Sequence, residues 1–119
     1  MITKERAAFE TDTERRLAEA SGTPLLLEVD WESFERAPYP ITMIESRAVP
    51  QLAAALRDIC AERGWRDTVR ERLRRLVILP AVRGERPLAL MSGGTLSVRL
   101  APNCVPNARS LKDAFAAAG

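Results

Sequence analysis

At 119 residues the chain is one domain's worth of polypeptide, and 46% apolar with 29% charged residues is the makeup of a globular protein, not a disordered or fibrous one. It has no histidine, which excludes Ser-His-Asp and Cys-His nucleophile activation, the usual near-neutral proton shuttle and histidine-ligated metals. Net charge is +2, too near balance to imply a polyanion partner, yet residues 1–35 carry four basic and nine acidic side chains while 36–119 carry fourteen and seven.

Residues 3–20 hold good helix formers with no Gly or Pro, and Gly22 follows as a stop signal. The apolar stripe of this helix is narrow: Phe9, Leu17 and Ala20, with Thr13 between. Residues 24–32 switch to period two. Leu25, Leu27, Val29 and Trp31 alternate with Leu26, Glu28, Asp30 and Glu32, which predicts a strand with one buried and one acidic face. Pro38 and Pro40 predict a loop over residues 33–40, and residues 41–44 read as a short strand.

Pro50 suits the first turn of a helix, and Leu52, Ala55, Leu56, Ile59 and Cys60 share one helical face. Gly64 stands where a left-handed cap belongs. A second helix is predicted over 65–75, with Trp65, Val69, Leu73 and Leu76 on its core side. Residues 76–81, 87–91 and 95–101 read as three strands, joined by turns at 82–86 and 92–94. A three-residue loop of Ser92, Gly93 and Gly94 would oppose Leu90 to Leu96 and Leu88 to Val98, and a two-residue Gly-Gly loop would oppose Leu90 to Ser97. We favour the former. Residues 101–109 are irregular, and Ser110 opens a last helix, with Asp113 as a capping-box-like partner and Leu111, Phe115 and Ala118 on one side. The expected fold is one α+β domain spanning 1–119, an antiparallel sheet of about four strands with helices packed on one face, in the order α-β-α-α-β-β-β-α.

There is no P-loop and no dinucleotide-binding fingerprint, and two cysteines cannot complete a four-ligand zinc site. Three positive features stand out. Glu28, Asp30 and Glu32, with Glu35 just beyond, fall on one face of the predicted strand. They would serve as a divalent-cation or basic-partner surface, but the plainer reading is a solvated sheet face or one paired with arginines from a neighbouring strand. Arg66, Arg70 and Arg74 form a ridge every four residues, flanked by Arg63 and Arg75. Asp67 is within reach of Arg70, Glu71 of Arg74 and Arg75, and no aromatic side chain is interleaved for base stacking. The loop at 102–109 contains Cys104, whose thiol Arg109 would activate, though no general base accompanies it. Trp31 and Trp65 keep apolar register and read as core. Tyr39, held between two prolines, is either a contact residue or a loop anchor.

The cysteine count and the charged N-terminus, without an apolar signal core, suit a cytoplasmic protein of bacterial type. No segment is apolar enough for a membrane, and no cofactor or metal is expected. The leading expectation is a non-catalytic protein acting through protein–protein association or self-association. It rests on scarce catalytic residue types, opposite charge in the two parts of the chain, and an edge strand offered for pairing. The partner-binding candidates are Arg66, Arg70, Arg74, Glu28, Asp30, Glu32 and Tyr39. The alternatives are nucleic-acid binding through the arginine face at 63–75, and a small enzyme or ligand carrier using carboxylates with arginine, or Cys104.

Overall fold

The computed structural model describes residues 2–82 and 87–117. Helix α1 (Ile2–Ser21) leads to strand β1 (Leu26–Val29) and the short helix α2 (Trp31–Glu35). A helical run follows, made of α3 (Ile41–Met43), a π-turn (Ile44–Ala48) and α4 (Val49–Cys60). Then come α5 (Arg63–Arg72), β2 (Arg75–Pro80), β3 (Ala89–Ser92), β4 (Thr95–Leu100) and α6 (Ala108–Ala117). The predicted turn at 82–86 falls mostly outside the described residues.

The α+β class and the sheet of four strands hold, but the sheet is mixed and mostly parallel. Its order is β1-β2-β4-β3, with β1 parallel to β2, β2 parallel to β4, and only the β3–β4 pair antiparallel. The antiparallel expectation assumed that consecutive strands pair. Instead β4 inserts beside β2 and displaces β3 to the edge. The reason lies in side-chain burial. β2 and β4 bury Leu76, Ile78 and Pro80 and Leu96, Val98 and Leu100, and Val77 and Leu79 on the other face are half-buried. β4 alternates these with Thr95, Ser97 and Arg99, but both strands run six residues and bury three side chains each. β3 runs four and buries only Ala89 and Met91, so the two longer strands take the centre. β1 and β2 are parallel because the 45 residues between them form a helical crossover.

Other differences have local causes. The 24–32 strand stops at Val29, since Asp30 caps α2: its Oδ1 accepts from Ser33 N at 3.2 Å and its Oδ2 from Ser33 Oγ at 2.8 Å. Residues 41–44 are helical, not extended. Ile44, Ala48, Val49, Leu52, Leu56 and Ile59 make one buried stripe from the π-turn through α4. Pro50 has no N–H and its ring crowds the preceding turn, and the wider π-turn ahead, with Val49 N bonded to Ile44 O, absorbs that crowding. Gly64 is not a left-handed cap. It lies within α5, and the break between α4 and α5 is made by Glu62 in extended conformation. The last helix starts earlier than Ser110, because Asn107 Oδ1 accepts from Ser110 N at 2.8 Å and serves as its cap.

The hairpin takes the two-residue register. Ser92 pairs with Thr95, Met91 with Leu96, Leu90 with Ser97 and Ala89 with Val98. Gly93 and Gly94 have φ of 55° and 83°, the pair of left-handed residues that a tight primed turn needs and that only glycines adopt freely. The favoured three-residue loop would have buried Leu90. The observed register buries Ala89 and Met91 instead and turns Leu90 outward.

The core lies between the inner sheet face and α4, which is flanked by α1, α5 and α6. α1 packs through the expected narrow seam of Phe9, Thr13, Leu17 and Ala20, all buried. Each fully buried Leu or Ile of this core contributes about 1.5–3 kcal/mol.

Candidate functional site

The predicted acidic face is divided among three structural jobs. Glu28 projects from the outer sheet face, where its Oε1 accepts from Arg75 Nη1 of the adjacent strand at 3.0 Å. Of the two plainer readings, solvated face and arginine pairing, the second applies at Glu28. Asp30 is the α2 cap. Glu32 stands on α2, 3.9 Å from Arg36, and Glu35 pairs with Arg6 at 2.8 Å. Among the described residues no group of three acidic or thiol side chains is placed to hold a metal ion.

Two arginines at the end of α5 turn toward backbone carbonyls. Arg74, just past the helix, donates from Nη1 to Arg70 O at 2.9 Å and so folds its side chain back onto the C-terminal end of α5. Arg72 Nη1 donates to Phe115 O at 2.8 Å and so answers the C-terminal end of α6. Arg70 lies against the end of α1, where a Cβ on Gly22 would come 3.6 Å from its Nη2. Arg75, expected to meet Glu71, meets Glu28.

Arg66 and Arg70 also flank Cys60. Its Sγ donates to Ser21 O at 3.5 Å. Burial pushes the Cys60 thiol up, while Arg70 and Arg66 pull it down less strongly. A thiol held protonated is a poor nucleophile. Cys104 lies in the loop after β4, where Ala101 and Cys104 exchange backbone hydrogen bonds of 2.9 and 3.1 Å. Tyr39 anchors its loop: its hydroxyl lies 2.8 Å from Ala81 O and 3.0 Å from Leu100 O and donates to these carbonyls at the ends of β2 and β4. Trp31 packs edge-on to Phe9 with ring centroids 5.6 Å apart and carries Arg6 over its face at 5.0 Å.

What the structure does bring together is the edge of β3. Arg99 N donates to Leu88 O at 2.8 Å. Counting along the antiparallel ladder, Leu88, Leu90 and Ser92 direct their backbone groups at β4, and those of Ala89 and Met91 point away from the sheet. Beside this edge runs a groove of about 710 Å³ lined by Leu88, Leu90, Val105, Ala114 and Ala117, with Asp113 of α6 the one charged side chain on its wall among the described residues. Leu90 is 55% exposed, and with Leu26 it is one of two large apolar side chains so exposed among the described residues.

The two edges of the sheet are treated differently. α1 lies along β1, and Glu14 Oε2 accepts from Leu27 N at 3.4 Å, so that edge is covered. From Leu88 to Ser92 the other edge carries no charged residue, and Pro87 alone precedes it. Charged edge residues are the common protection against strand addition, and β3 lacks them. The sequence reading named an edge strand as a possible docking element without locating it. The uncharged run from Leu88 to Ser92 was the available signal, and the wrong hairpin register concealed it.

Comparison with known protein families, with curated proteins and with solved structures finds no match.

Proposed function

We propose that the protein acts by associating with another polypeptide, which adds an extended segment along β3. The carrying observation is the uncharged β3 edge, with outward backbone groups at Ala89 and Met91, beside an apolar groove. An added strand gains main-chain hydrogen bonds from the edge and seats alternate side chains in the groove. The ridge arginine Arg74 and its neighbour Arg72 are engaged with carbonyls.

The test is quantitative affinity capture with the wild-type chain beside two variants. Leu90→Lys places a charge on the edge without removing a core side chain. Ala89→Pro deletes an outward N–H and spares the β3–β4 ladder. Association through β3 predicts chains captured by the wild type and lost with both variants. Identical captured sets for all three proteins would refute it. A nucleic-acid signal that falls steeply with salt and disappears in Arg66→Glu/Arg70→Glu would assign the function to α5 instead.

A further inference from the structure

We infer that the segment that adds to β3 is β3 of a second copy of this chain, in one defined register, which joins two sheets into a continuous eight-stranded sheet. This rests on the reading of β3 as a docking edge and names its occupant. The argument is self-complementarity. The outward backbone groups belong to Ala89 and Met91, placed symmetrically about Leu90. A two-fold axis normal to the sheet at Leu90 sets Ala89 opposite Met91 of the partner subunit, and the reverse. Each pair exchanges two hydrogen bonds, so all four outward N–H and C=O groups on each strand are satisfied. Leu90 then faces its own symmetry mate as a non-hydrogen-bonded pair, with Cα atoms about 4.5 Å apart. The most exposed apolar side chain of this edge is thereby covered, and no charge on either strand opposes the approach.

The second layer adds less. Ser110, Ala114 and Ala117 present small side chains of α6 toward the groove, but Asp113 stands on the same wall. Close packing of two α6 copies would bring two carboxylates together, so the strand pair carries the contact and α6 stays at its hydrated margin. The contact is modest. A four-residue strand spans about 13 Å and a ten-residue helix about 15 Å. Elements this short make a small contact, at or below the lower bound for a specific interface. The dimer is accordingly concentration-dependent, dissociating in the micromolar range or above.

Sedimentation equilibrium from about 10 μM to about 1 mM reads this directly. The wild type is expected to move from monomer to dimer, and Leu90→Lys to weaken the dimer at least about tenfold by setting two ammonium groups face to face. Circular dichroism checks that the variant is folded. A second measurement fixes the register. In a Cys60→Ser/Cys104→Ser background, Leu90→Cys is expected to form an intermolecular disulfide under mild oxidation, since its Cα separation lies in the disulfide range, whereas Ser92→Cys is not. A wild type that stays monomeric at 1 mM overturns the inference, as does a dimer indifferent to Leu90→Lys or one cross-linked through position 92. If the wild type is monomeric while capture still distinguishes it from Leu90→Lys, only the occupant is wrong and the docking edge stands.

Discussion

Single side chains explain why several candidates from the sequence turned out to be structural. Tyr39 sits between prolines, yet its hydroxyl ties a loop to the ends of two central strands. Tyr39→Phe removes that bond and is expected to cost about 1 kcal/mol, measured by urea unfolding, without changing the sheet. Arg72 acts through the carbonyl of Phe115, and Arg72→Met is expected to fray α6, seen as faster amide exchange over its last turn, at a cost of about 1 kcal/mol. Cys60 supplies a pH dependence. Its thiol is raised by burial in the folded chain, so the folded state holds the proton after the unfolded state has released it. The resulting stability is fully present below the unfolded thiol value, about 8.5, and is lost as pH rises through the folded value. Stability measured from pH 7 to 10 is expected to fall at the alkaline end, and Cys60→Ser to flatten that fall. None of these roles was readable from local sequence, because each depends on a carbonyl or guanidinium brought in from a distant element.

At the scale of elements, the hairpin carries the most consequence. Both glycines are left-handed, but a Cβ on Gly93 meets nothing within 4 Å, whereas one on Gly94 would come 3.4 Å from Arg74 Cγ. Gly93→Asn is therefore expected to be tolerated, since Asn-Gly suits this turn, while Gly94→Val costs about 2 kcal/mol or more. Thermal unfolding of the two variants checks the difference, and a three-residue loop would have left Gly93 replaceable by any residue. The periodicities that identified α1 and α4 survived because each carries its own buried stripe, whereas α5 runs only from Arg63 to Arg72 with Val69 buried. Leu73, expected on its core side, is extended past its end, and Leu76 belongs to β2. The 41–44 segment was misread because four residues are too few to show whether their period is two or 3.6. The stripe becomes visible only when Ile44 is joined with Ala48, Leu52 and Leu56.

For the molecule as a whole, the ion pairs among the described residues lie at the surface, with side chains from 30% to 81% exposed. Exposed pairs contribute about 0–1 kcal/mol each, so raising salt from 50 mM to 1 M is expected to shift the Tm by only a few degrees, measured by calorimetry at low protein concentration. The uneven charge along the chain therefore does not hold the fold, and Glu28 meets Arg75 within the molecule instead of across an interface. No helix among the described residues is long and apolar enough to cross a membrane.

Amino-acid order alone was sufficient for the α+β class, the main amphipathic helices and the chemistry that a histidine-free chain lacks. These follow from composition and from periods that repeat within one element. Strand order was beyond it. β2 and β3 are consecutive, yet they are separated by β4, because setting side by side the two six-residue strands that each bury three side chains gains more than pairing β2 with the shorter β3. The candidate site was beyond it for the same reason. Which strand lies at the edge, and which way Leu90 points, follow from how distant segments compete for the centre of the sheet.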